Sequence, residues 1–281
     1  MIKHLKIFAK LTVAICITII LACCSVWISR DKLTLLLFSD KGLAMAERFV
    51  NDSLQREVII IPMSHLNTSG YYSKLREYLS NMRNQGYVTF NESVMSTDRY
   101  SDTLLYMNYS DASKLYSFKN AIDSLHLRKL QLKQRRMIGC TTMFGNDSLR
   151  YNNKSVSRAL RDKKYLGQTS ELLGINTVSD YWVDMTLADL IRRYEADNGE
   201  IILSDYDYKT PLLEKYRNQG TDKRQRDLYM RSYRDKHIMQ MVINAPFPKI
   251  ITLYGSIHKY GIAYILKQNG FIRDYDYRAI E

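Results

Sequence analysis

Polar and apolar positions along this chain fall into short, separable blocks. Val58-Ile59-Ile60-Ile61 is an unbroken β-branched run of strand length. A run without alternation suits a strand covered on both faces. From 71 to 84 the period changes: Tyr72, Leu75, Tyr78, Leu79 and Met82 recur at three and four, which predicts an amphipathic helix. Gly86 supplies its stop. Tyr87-Val88-Thr89-Phe90 is the next strand, and the whole is a βαβ unit with a right-handed crossover.

The same reading continues along the chain. Residues 33–54 read as a short apolar segment followed by a helix. Residues 111–137 read as a second helical region holding a basic run from His126 to Arg136. Asp180 to Tyr194 is an amphipathic helix carrying Met185, Leu187, Leu190 and Ile191, and Glu200-Ile201-Ile202-Leu203 is a candidate strand. Residues 222–243 form a long charged helix that ends before Pro246 and Pro248. Lys249-Ile250-Ile251-Thr252-Leu253-Tyr254 is a strong strand. Tyr260 to Lys267 is a helix, Gly270 stops it, and Phe271 to Tyr275 is the final strand. This order predicts an α/β fold, a mainly parallel sheet flanked by helices.

Two of these units echo one another. The first reads Ile59-Ile60-Ile61-Pro62-Met63-Ser64-His65, a helix, Gly86, then a strand running to Glu92. The last reads Ile251-Thr252-Leu253-Tyr254-Gly255-Ser256-Ile257-His258, a helix, Gly270, then a strand running into Asp274 and Asp276. Two βαβ units, each placing a His at a strand end, would face one crevice at the C-terminal edge of the sheet, where parallel sheets bind ligands.

The N-terminus is an address. Lys3, Lys6 and Lys10 precede an apolar run from Leu11 to Ile28. Its end, Ile20-Leu21-Ala22-Cys23-Cys24, is similar to a bacterial lipobox with Cys23 as the lipid-carrying residue. The alternative is an uncleaved anchor helix, with the N-terminus inside by the lysine asymmetry. Either way residues 1–30 are a signal peptide, lipobox or membrane anchor, and residues 31–281 are the exported α/β domain. The expected location is the cell envelope, periplasmic and membrane-attached.

Composition narrows the class further. The chain has 281 residues, 46% apolar and 25% charged, which is globular. Of four cysteines only Cys140 lies beyond the first 24 residues, so an internal disulfide framework and CxxC chemistry are excluded. The net charge is +12. Export argues against nucleic acid as the partner of the basic helices and favours the anionic headgroups of the anchoring membrane. No G-x-S-x-G, H-E-x-x-H, Walker loop or G-x-G-x-x-G occurs. Of the five histidines, His4 belongs to the leader, and His126 and His237 fall in charged helices and read as solvated. His65 and His258 follow apolar strands, where imidazole can bind a metal or act as a base near neutral pH. Glu92 can reach the same crevice.

These residues resemble the TraB/Tiki/erythromycin-esterase/ChaN superfamily, whose GumN-like members open and close on G-x-x-H. The closing motif is Gly255-Ser256-Ile257-His258 with Gly261 following; the opening one is Pro62-Met63-Ser64-His65, with Pro in place of Gly. The acid is Glu92. The Arg motif resembles Arg224-Gln225-Arg226-Asp227-Leu228-Tyr229-Met230, with Asp227 where the family has Asn, and Val183-Asp184-Met185-Thr186-Leu187 is similar to the family's Asp-bearing segment. The resemblance implies a hydrolase of peptide or ester bonds. His65, Glu92 and His258 would be ligands of a divalent metal ion or the base set, and Arg226 an anion or oxyanion clamp. The alternative on the same fold is a non-catalytic envelope module that binds haem or a partner protein.

Overall fold

The computed structural model describes residues 42–64, 66–92, 94, 106–108, 110–111, 124–138, 165–212, 216 and 223–280, with backbone alone at 66, 124, 223–227 and 229. In chain order the strands are β1 (Glu47–Asn51), β2 (Arg56–Met63), β3 (Leu66–Asn67), β4 (Val88–Asn91), β5 (Met107–Asn108), β6 (Leu166–Gly167), β7 (Tyr181–Trp182), β8 (Lys249–Gly255) and β9 (Ile272–Asp274). The helices are α1 (Ser69–Asn84), α2 (Ser124–Ile138), α3 (Ser170–Leu173), α4 (Leu187–Asn198), α5 (Asp205–Lys209), α6 (Lys223–Ile243) and α7 (Lys259–Gln268).

The main sheet has the order β5-β7-β4-β8-β2-β1-β9. Its centre is parallel: β8 lies between β2 and β4, and β7 continues beyond β4. Its margins are antiparallel, through β1 with β2 and β9, and through β5 with β7. The fold is therefore α/β, a mixed seven-stranded sheet with a parallel core and helices on both faces. The continuous run of β2 has the expected cause. Val58 and Ile60 face the cluster that contains Ile238, Ile262 and Leu266 of α6 and α7, whereas Ile59 and Ile61 face Tyr72, Leu75 and Leu79 of α1. Both crossovers pass over intervening strands: β2 to β4 skips β8, and β8 to β9 skips β2 and β1. Gly86 and Gly270, just past the ends of α1 and α7, take φ of 86° and 78°, a left-handed turn that a side chain would strain.

Three local expectations differ from the structure. Residues 47–51 are not helical: they form β1, in an antiparallel hairpin with β2. The hairpin closes through a turn in which Asn51 Oδ1 accepts from Leu54 N and Gln55 takes φ of 47°. Glu200–Leu203 is not a strand; the segment pairs with nothing in the sheet and leaves Ile202 69% exposed. The helix expected from Asp180 starts later. Tyr181–Trp182 is the sheet strand β7, and Thr186 caps α4 by accepting from Asp189 N at 3.1 Å. Residues 1–41 and Cys140 lie outside the described residues, and among those described no helix is long and apolar enough to cross a membrane.

Candidate functional site, a buried ionic cluster at the strand ends

The C-terminal ends of three parallel strands are stitched together. Glu92 N donates to Leu253 O, Ser256 N donates to Met63 O, and the Gly255 N–H donates to Glu92 Oε2 at 2.5 Å. Glu92 follows β4 directly, and its carboxylate is held against the end of β8. His258 lies three residues past β8, where it is the N-cap residue of α7.

Into this corner α6 inserts Arg234 and Asp235. The guanidinium donates through Nε and Nη2 to both oxygens of Asp184, at 3.1 and 2.5 Å. Nη2 also donates to Glu92 Oε1 at 2.9 Å. Nη1 lies 3.1 Å from His258 Nε2. The other ring nitrogen, Nδ1, is 2.5 Å from Asp235 Oδ1. Asp184 comes from the loop between β7 and α4 and also accepts from Met185 N. The side chains of Arg234 and His258 are 2% exposed and that of Glu92 4%. Three carboxylates, a guanidinium and an imidazole thus share a space without bulk water. Removing charges from water costs several kcal/mol each unless they are paired, and here they are paired with one another.

Protonation follows from this geometry. Burial works to lower the Arg234 pKa, but Asp184 and Glu92 outweigh it and hold the guanidinium charged above its ordinary range. A guanidinium only donates, so the 3.1 Å contact requires a lone pair on His258 Nε2. The neutral tautomer with its proton on Nδ1 satisfies this contact and donates that proton to Asp235. Burial also pushes the His258 pKa down, while the Asp235 and Glu92 hydrogen bonds push it up; the net displacement is upward. On protonation the Nε2 proton would be offered to Glu92 Oε1, 3.5 Å away.

Gly261, one turn into α7, makes room for the carboxylate that orients the ring. A Cβ there would stand 2.7 Å from Asp235 Cγ, closer than real side chains approach.

The residues expected at the site divide as follows. Glu92 and His258 are brought together. His65 lies outside the described residues. Arg226 lies in α6, and its side chain is likewise outside the description. The guanidinium at the cluster is that of Arg234, two turns further along the same helix. Asp184, noticed for its segment alone, is a full member, and Asp235 is a partner that sequence reasoning missed. His126 is exposed, but His237 is not the solvated residue expected: it is half-buried, with its ring hydrogen-bonded to the backbone of Val183. Burial depresses its pKa against the opposing pull of Asp184 and Asp189.

The described donors do not by themselves fit a divalent metal. Glu92 Oε1 and His258 Nε2 both face Arg234 nitrogens at 2.9 and 3.1 Å, so a cation already stands where a shared ion would bind. Among the described residues no group of three or more His, Cys, Asp or Glu is arranged to hold a metal ion.

Fold and cluster define an α/β protein with a buried ionic site at the C-terminal edge of its parallel strands. Comparison with protein-family models, with curated proteins and with solved structures finds no match to this chain.

Proposed function

We propose that this protein is an exported, membrane-tethered hydrolase of ester or peptide bonds, of the TraB/Tiki-like kind. The observation that carries the reading is the Asp235–His258 pair beside Glu92 and Arg234 at a strand-end corner. An imidazole with Nδ1 fixed by a carboxylate presents Nε2 as a general base, the arrangement hydrolases use to activate a hydroxyl or water. Asp235 orients the ring and stabilises the imidazolium that forms. Arg234 Nη1 covers Nε2 at rest, so a water or hydroxyl reaches the base by displacing that contact. The freed guanidinium N–H is then available to a developing oxyanion. Glu92 and Asp184 hold the guanidinium in place and take no proton in this scheme. The apolar run after Lys10 and the Cys23 lipobox support attachment to the envelope.

A panel of chromogenic esters and peptides tests the proposal. The wild type should turn over at least one class, and His258→Ala and Asp235→Asn should each lose about 10²-fold or more in kcat/KM with unchanged circular dichroism. Turnover unaffected by both changes would remove the base assignment. Chelation during the assay decides whether a metal, held with His65 as a further ligand, takes part. Metabolic lipid labelling that survives Cys23→Ser would exclude that anchor site.

One observation favours the non-catalytic alternative: Arg234 and Glu92 find their partners within the protein. A saturated cluster of this kind can serve simply to fasten α6 to the ends of β4 and β8 in a binding module. Under that reading the same substitutions lower stability, and the panel shows no turnover by any form.

A further inference from the structure

A cavity between α2 and α5 shares no residue with the ionic cluster. Its volume is about 550 Å³, within the ~300–1,000 Å³ of small-molecule sites. It is lined by Leu125, His126, Arg128, Lys129 and Leu132 of α2 and by Tyr208 of α5. Leu125, Arg128, Lys129 and Leu132 are spaced by three and four, so one flank of α2 carries both apolar and cationic groups. Leu132, 2% exposed, is a floor; Leu125 and Tyr208, at 77% and 52%, are open walls.

Among the described residues the charge lining this cavity has one sign, with no carboxylate. The described carboxylates nearby are engaged elsewhere: Asp205 with Lys209 at 3.0 Å, and Asp207 with Arg136, Tyr216 and Ser204. On the other flank of α2, Lys133 is paired with Glu195 at 2.5 Å. Arg128 and Lys129 are exposed and have no ion-pair partner among the described residues. A bare inorganic anion would satisfy the cations and leave the apolar walls wet. A neutral hydrocarbon would do the reverse. One molecule with both parts satisfies both.

We propose that this cavity binds an anionic amphiphile, with its carboxylate or phosphate head on Arg128 and Lys129 and its acyl chain along Leu125, Leu132 and Tyr208. The head can belong to a free fatty acid or to an anionic membrane lipid. The site stands whether or not the ionic cluster is catalytic.

The full chain is titrated with cis-parinaric acid, a fluorescent long-chain carboxylate, and displaced with oleate or with oleyl alcohol. Separately it is sedimented with phosphatidylcholine vesicles with and without phosphatidylglycerol. The phosphatidylglycerol-dependent increment is read, because the apolar N-terminal run partitions irrespective of headgroup. Saturable parinarate uptake that oleate reverses and oleyl alcohol does not assigns the site to free acids. A phosphatidylglycerol increment without parinarate uptake assigns it to membrane lipid. In either case Arg128→Gln with Lys129→Gln, both solvent-facing, should weaken the response by about 10- to 30-fold without altering circular dichroism. The proposal is overturned if neither response occurs, if the double substitution leaves the response intact, or if oleyl alcohol competes as well as oleate.

Discussion

Gly261→Ala is the sharpest single perturbation of the site. Gly261 lies in the first turn of α7 with no left-handed backbone to protect, so helix propensity alone favours alanine by about 1 kcal/mol. The structure reverses that sign. The new methyl would overlap Asp235 Oδ2 and fall 2.7 Å from Cγ, and ordinary contact begins near 3.4 Å, so the carboxylate must move by about an ångström or more for α7 to accept it. Overpacking of this kind costs about 1–3 kcal/mol. The carboxylate that must move is the one that holds His258 Nδ1, through Oδ1 at 2.5 Å. The reasoning is tested by a double-mutant cycle in urea. In the wild type, Gly261→Ala should lower stability by roughly 1–2 kcal/mol, the clash less the propensity gain. In an Asp235→Ala background the obstructing carboxylate is gone, and the same change should be neutral or stabilising by up to about 1 kcal/mol. Equal effects in both backgrounds, within about 0.5 kcal/mol, would refute the account of why a glycine stands there. In a hydrolase that uses His258 as its base, Gly261→Ala should also lower kcat with little change in KM.

Further outcomes follow from the same geometry. Arg234→Met removes the guanidinium that bridges Glu92 and Asp184, and should cost about 3–5 kcal/mol in urea unfolding; adding Asp184→Asn should recover part of that loss. His258 has a raised folded-state pKa, so its charged form contributes stability that is fully present below the ordinary value of 6.5 and fades as pH rises through the folded value. The stability gap between wild type and His258→Gln should therefore be wider at pH 5.5 than at pH 8.5, and a gap that widens with pH would be the wrong sign. Thr186→Val removes the cap of α4 next to Asp184 and should cost about 1 kcal/mol, measured as a shift in urea midpoint with no change in slope.

What the sequence disclosed depended on whether one segment carried its own signal. β2, β4, β8, α1 and α7 did, because two-sided burial writes a continuous apolar run for a strand and a three-four spacing for a helix. β1 did not. Its sequence is Glu47-Arg48-Phe49-Val50-Asn51, and only Phe49 enters the core; Arg48 instead pairs with Asp274 of β9. A strand specified by its hairpin partner and by an ion pair across 226 residues has no local period to read. The converse error is Glu200–Leu203, where a β-branched run found no neighbouring strand and became an irregular connection between α4 and α5.

The site was obscured by charge density. α6 is rich in Arg and Lys, so a motif search settles on Arg224 and Arg226, where charges are most crowded. The stripe that faces the core is Met230, Arg234, Ile238, Met241 and Val242, all buried. In that stripe Arg234 is the one charged member, at helical spacing from apolar neighbours. A cation written into an apolar stripe must meet anions inside the protein, because leaving it unpaired would cost more than a helix of this length could return. Read this way, Arg234 calls for buried carboxylates near the ends of the covered strands. Glu92 after β4 and Asp184 after β7 are the acids that the parallel arrangement delivers there. The same logic explains why Asp235 follows immediately: position 235 turns one step around α6 toward α7, where His258 caps the helix and Gly261 leaves the gap. The pairing that defines the site is thus a property of two crossing helices, and no segment of the sequence contains both halves of it.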